Sequence, residues 1–263
     1  MRFTTVLTPC LLGALLASGA AFAQKKESKG LAPKSQGEAQ AVQAVIQAQN
    51  QPPDDMIKAV DALLAKYADT VYKSFALELE AEAYQNKKDD AKAIVYGEQA
   101  LQADPKNYKA DNLLANVTAA MTRDTDLDKE EKLAKADKYA HDALDTLEKD
   151  GKPPLMANAT DEQWTKTKNT AESLAYQALG TVALTRKKTD EAVADFQKGI
   201  DLNPDPVLII RAGRALLAAR KPDDAIVYFD KVINSADAPA QIKSIAQADR
   251  ARAIQSKGPA AAK

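Results

Sequence analysis

Apolar residues fall at three- and four-residue intervals on both sides of a polar turn in "SLAYQALGTVALTRKKTDEAVADFQKGIDLNP", which begins at Ser173. Tyr176, Leu179 and Gly180 precede the turn at 186–190, and Ala192, Phe196, Gly199 and Pro204 follow it. That spacing predicts two amphipathic helices, and so short a turn makes them antiparallel neighbours. The order returns with Ile209, Ala212, Gly213 and Leu216, a turn at 220–223, then Ala225, Phe229 and Val232, so that Gly180 recurs 33 residues on as Gly213. An earlier copy has Leu77, Ala81 and Tyr84, a turn at 86–90, then Ala93, Ala100 and Pro105. The pattern predicts helical hairpins in series.

These residues resemble the tetratricopeptide repeat, a helix-turn-helix unit of about 34 residues with small residues where its helices cross. The resemblance implies an all-α fold, a right-handed solenoid of antiparallel helix pairs closed by a C-terminal capping helix. Gly180 is expected to face Ala192, and Gly213 to face Ala225, at crossings where a longer side chain would cost about 1–3 kcal/mol by overpacking. Ala81, Ala93, Ala115 and Ala136 belong to the same packing set. Phe196 and Phe229 are expected to fill the space between one hairpin and the next. Pro105 and Pro204 lack an N–H and stop the second helix of their units.

The approximate repeats are 37–72, 74–106, 107–149, 160–206 and 207–239, with a cap at 240–257. The first is a helical pair broken at Pro52 and Pro53, and its ending "LLAKYADTVYKSFA" is similar to the closing turn of envelope-associated tetratricopeptide proteins, with Ala68 or Asp69 where those have proline. The third carries extra charged length, "TRDTDLDKEEKL", expected as a loop or added helical turns at the hairpin tip. Residues 150–160 bear Gly and Pro and read as a loop; Thr160 with Gln163 reads as a capping box that starts the next helix early.

The first 23 residues add a targeting signal: Arg2, an apolar run to Leu16, then Ala21-Phe22-Ala23. This is the layout of a secretory signal peptide cleaved after Ala23, which implies export, with the periplasm of a bacterium as the expected destination. An N-terminal membrane anchor is the alternative. The one cysteine, Cys10, lies inside this segment, so the mature chain has neither disulfides nor thiol chemistry. Residues 24–36 are polar with Gly and Pro and are expected as a flexible tail, as is 258–263.

Charge and motif content narrow the chemistry. The chain has 36 basic and 37 acidic residues, interspersed, which argues against a nucleic-acid partner because phosphate neutralisation needs a clustered basic face. The single histidine, His141, lacks any G-x-S-x-G elbow that would build a triad around it, and glycines are too sparse for a phosphate cradle. Asp124, Asp126 and Asp128 stand at the first, third and fifth places of a calcium loop, which then fails at Lys129 and Lys135 where Gly and Glu are needed. The expectation is no enzyme, no metal and no cofactor. Trp164 is expected to pin the early part of its helix against a neighbour.

The resemblance then implies a partner-binding groove on the first helices of the repeats, formed by Glu78, Glu82, Asn112, Asn116, Gln177, Thr181, Ile210 and Arg214. The family's clamp for a C-terminal carboxylate needs paired lysines that this face does not carry. The sequence therefore reads as an exported protein-binding scaffold with an unidentified protein or peptide partner, touching a membrane only during export. A self-assembling homo-oligomer is the alternative.

Overall fold

The computed structural model describes residues 31–257, so the expected signal peptide at 1–23, the tail at 258–263 and most of the 24–36 segment lie outside the described residues. Among the described residues the chain is all-α. Its helices are α1 (Gln36–Ala48), α2 (Pro53–Lys66), α3 (Lys73–Asn86), α4 (Asp90–Ala103), α5 (Tyr108–Met121), α6 (Lys129–Lys149), α7 (Asp161–Thr185), α8 (Thr189–Leu202), α9 (Pro206–Ala218), α10 (Pro222–Asn234) and α11 (Ala240–Ser256). Consecutive helices pack as pairs, and the pairs stack into a solenoid. The buried apolar residues form a chain of clusters running the length of the stack, as expected where each repeat covers the next.

Residues 31–35, which composition assigned to the tail, are anchored. The Tyr72 hydroxyl donates to the Leu31 carbonyl at 3.0 Å, and Lys34 Nζ donates to Asp69 at 2.7 Å. The buried Glu38 explains the anchoring: its carboxylate accepts from the Thr70 hydroxyl at 2.6 Å and from the Lys34 backbone N–H at 2.5 Å.

The capping box at Thr160 and Gln163 is present and starts α7 early, giving it 25 residues where α8 has 14. The Trp164 ring meets the Tyr108 ring edge-on at 6.4 Å, holding the early turns of α7 against α5. At the third hairpin the added sequence supplies both features: a loop after Met121 and an α6 of 21 residues.

The tight hairpin turns share one device that periodicity does not reveal. Lys88, Lys187 and Arg220 adopt positive φ of 65°, 63° and 60°. In each turn the next residue's N–H bonds back to the helix: Asp89 to Tyr84 O, Lys188 to Ala183 O and Lys221 to Leu216 O. With the bonds from the Lys88, Lys187 and Arg220 N–H groups to the Gln85, Leu184 and Leu217 carbonyls, this makes the double closure of a Schellman ending, for which Gly is the unstrained residue. A left-handed non-glycine residue costs about 1 kcal/mol. Arg220→Gly is therefore expected to raise stability by roughly 0.5–1 kcal/mol, read as a higher denaturation midpoint with unchanged helical circular dichroism.

At the small residues of the last two hairpins the aromatic rings come close to the glycines. A Cβ on Gly180 would lie 2.4 Å from two carbons of the Phe196 ring, and one on Gly213 would lie 2.7 Å from Phe229. Each glycine thus seats the phenylalanine of its own hairpin; neither ring serves only to fill the gap between hairpins. Phe196 also shares a buried cluster with Leu208 and Ile209 of the following unit. Ala81, Ala93, Ala115, Ala136, Ala192 and Ala225 are all fully buried.

Candidate functional site

The first helices of successive pairs, α3, α5, α7 and α9, present Glu78 and Glu82, Asn112 and Asn116, Gln177 and Thr181, and Ile210 and Arg214. Each pair is four residues apart, so its members lie on one helical face. The structure gives these residues unequal roles.

Across α5 and α7 the amides are used inside the fold. Asn112 Nδ2 donates to the Ala171 carbonyl at 2.9 Å, Asn116 Nδ2 to the Leu174 carbonyl at 3.0 Å, and Gln177 Nε2 to Asn116 Oδ1 at 2.7 Å. These bonds staple two helices whose contacting residues are about sixty positions apart in the chain. Thr181 turns its hydroxyl back to the Gln177 carbonyl at 2.8 Å. Ile210 is 4% exposed and belongs to the C-terminal core. Arg214 Nε donates to Asp249 of α11 at 2.6 Å, fastening the capping helix, and Arg252 shares the same carboxylate. Six of the eight residues are therefore engaged by the fold itself.

Glu78 and Glu82 are the exception. Glu78 is only 2% exposed, and its Oε1 has no hydrogen-bond partner. Burial, with the Glu82 charge beside it, pushes the Glu78 carboxyl up to about 8, and the two side chains share a hydrogen bond. Burial raises Glu82 as well. Lys109, the second residue of α5, faces both: Glu78 raises its ammonium pKa, while the side chain still reaches solvent. Yet among the described residues no carboxylate lies within 4 Å of the Lys109 ammonium. Lys109 is not among the expected groove residues. The available signal was its place three residues before Asn112 on the same face of α5.

Other buried carboxyls point elsewhere. Glu80, pushed up to about 7 by burial, faces Asp61, Tyr96 and Lys92 on α2 and α4. Asp111, also raised to about 7 by burial, faces Asp142 and Lys138 on α6. At the third hairpin tip, lysines occupy the would-be calcium loop: Lys129 pairs with Asp124 at 2.8 Å, and Lys132 with Asp126 at 3.0 Å and Asp128 at 2.8 Å. Their hydrogen bonds hold the Asp124 and Asp126 carboxyls below the usual range. Among the described residues no group of three or more His, Cys, Asp or Glu side chains is placed to hold a metal. His141 is exposed, with Nδ1 2.9 Å from the Asp137 carbonyl of its own helix.

Two apolar side chains complete the face. Leu174 is 43% exposed and Val207 is 37% exposed, each six residues before the glycine of its own repeat, Gly180 and Gly213. They extend the face from the acidic α3 end to an apolar α7 and α9 end. Among the described residues no helix is long and apolar enough to cross a membrane.

Residues 76–107 and 174–206 match the tetratricopeptide repeat family model. A thermophilic tetratricopeptide repeat protein of Thermus thermophilus superposes with a TM-score of 0.59 at 14% identity, over 81% of this chain and 98% of that one. MamA of Desulfovibrio magneticus is similar at 15% identity and a TM-score of 0.46, over 75% of this chain and 93% of that one. Identity this low speaks to the fold alone. No curated protein matches the chain by sequence.

Proposed function

The chain is a tetratricopeptide repeat protein, and from that premise we propose that it is an exported, non-catalytic scaffold that binds a protein partner along the face built by α3, α5, α7 and α9. Proteins of this fold generally mediate protein–protein interaction. The observation that carries the reading is the composition of this face: Leu174 and Val207 stand exposed at equivalent positions of successive repeats, next to a row of amides and the acidic pair of Glu78, buried, and Glu82, half-buried. An extended segment laid across it meets apolar contacts at one end and polar ones at the other, the layout of a groove that recognises a peptide. Export rests on the signal-peptide layout of residues 1–23, and with it a role in the cell envelope.

Site-specific photo-crosslinking tests the face. A photoreactive residue at position 174 or 207 is expected to yield a discrete adduct with another protein in an envelope extract, whereas one at Val227, an exposed residue of α10, yields none. Equal adducts from both faces, or none from 174 and 207, overturn the assignment. An adduct of twice the chain mass replaces it with self-assembly.

A further inference from the structure

We propose that the α3–α5 part of this face is a subsite for a cationic side chain, a Lys or Arg of an extended peptide, held by Glu78 and Glu82 with Asn112 Oδ1 as a further acceptor. The inference rests on the peptide-binding reading of the face and adds the chemistry that its acidic end selects.

Glu78 and Asn112 are 2% and 4% exposed, and Glu78 Oε1 and Asn112 Oδ1 both lack a partner. The Asn112 amide is oriented by its bond from Nδ2 to the Ala171 carbonyl, which leaves the oxygen as the free end. Buried acceptors without donors are costly, about 1–3 kcal/mol each, and rare in folded proteins. Both atoms need the same thing, an N–H donor. A guanidinium offers five and an ammonium three.

Glu78, buried, and Glu82, half-buried, are one turn apart on α3, and two carboxylates so placed repel each other. Lys109 is the nearby cation, but it closes no ion pair with either. Its charge favours the ionised form of both carboxyls, but burial outweighs it and Glu78 keeps its proton to about pH 8. The titratable groups facing the pair are Tyr108 and Lys109 from α5, while Asp61, Lys92 and Tyr96 of α2 and α4 face Glu80 instead. A peptide cation entering the subsite replaces the proton, which leaves to solvent: protonated Glu78 plus peptide cation gives a Glu78 carboxylate paired with that cation and one free proton. The neighbouring Leu174 and Val207 would receive the apolar residues of the same segment.

The subsite is tested with terminally blocked decapeptide libraries passed over the immobilised mature chain from Gln24. The retained pool is expected to be enriched in Lys or Arg at one fixed spacing from its apolar positions. Glu78→Gln and, separately, the more accessible Glu82→Gln, each shown to melt cooperatively, are expected to lose that enrichment while still retaining peptides through the rest of the face. For one such Arg peptide, affinity is expected to rise about tenfold per pH unit between pH 6 and 7 and to level off above about 8. Calorimetry in two buffers should then count about one proton released, and none from Glu78→Gln. Retained peptides without a preference for cations, or with the same preference in both variants, overturn the subsite and leave the peptide-binding face standing. A library from which nothing is retained overturns both.

Discussion

Phe196→Ala is expected to destabilise the protein by about 3–5 kcal/mol. The ring is 1% exposed. Within its own hairpin it lies against α7 so closely that a Gly180 Cβ would come to 2.4 Å. It also belongs to the same buried apolar cluster as Leu208 and Ile209 of α9. In a solenoid each unit is held only by its neighbours, so a cavity here weakens both the fourth hairpin and its junction with the fifth. Equilibrium denaturation is expected to show a lower midpoint and a shallower or two-step transition as the C-terminal units uncouple. Gly180→Ala attacks the same contact from the opposite helix and is expected to cost about 1–3 kcal/mol, less the gain in helix propensity. Combining Gly180→Ala with Phe196→Leu should cost less than the sum of the two single changes, because the smaller side chain makes room for the added methyl. Additive costs would show that the glycine and the ring do not share one contact.

Stability is expected to fall as pH rises from about 5 to 8, by about 2 kcal/mol or more. Burial raises Glu78 to about 8, and Glu80 and Asp111 to about 7. In the unfolded chain the same carboxyls titrate near 4. Above that pH the unfolded chain sheds protons that the folded chain retains, so the unfolded state gains. The contribution of these groups is full below about pH 4, and it is lost as pH climbs through their folded values. Surface aspartates such as Asp54, Asp69 and Asp145 have the opposite dependence, since hydrogen bonds from Lys87, Lys34 and Lys149 lower them. Those pairs are solvated and weak, and they matter only below about pH 4. The optimum should therefore sit in mild acid. Denaturation curves at pH 5, 6, 7 and 8 check this, and Glu78→Gln/Glu80→Gln/Asp111→Asn is expected to flatten the profile. A stability maximum at pH 7 or above would contradict it.

Both predictions involve contacts that the repeat pattern places only in part. The glycine, alanine and phenylalanine positions of the hairpins were legible because their spacing is a property of one helix and its short turn. Which ring rested on which glycine was not, because Gly180 meets Phe196 only after α7 and α8 have packed. The groove residues divided in the same way. Their four-residue spacing puts Asn112 with Asn116, and Gln177 with Thr181, on shared helical faces. It carried no information on what the amides would do there, since their partners Ala171, Leu174 and Asn116 lie about sixty positions away in the chain. Lys109 escapes a reading of the sequence for a related reason: a lysine at a helix start is ordinary, and only the packing of α5 on α3 brings it to face two carboxyls.

By itself, then, the sequence determined the all-α class, the hairpin series and the residues that share a face, because helix geometry is local and its period of 3.6 is written directly into the order of apolar and polar residues. The tertiary structure decided which polar groups on that face were consumed in joining helices and which were left unsatisfied. Those outcomes depend on distance and desolvation between elements remote in the chain, and no local period encodes them.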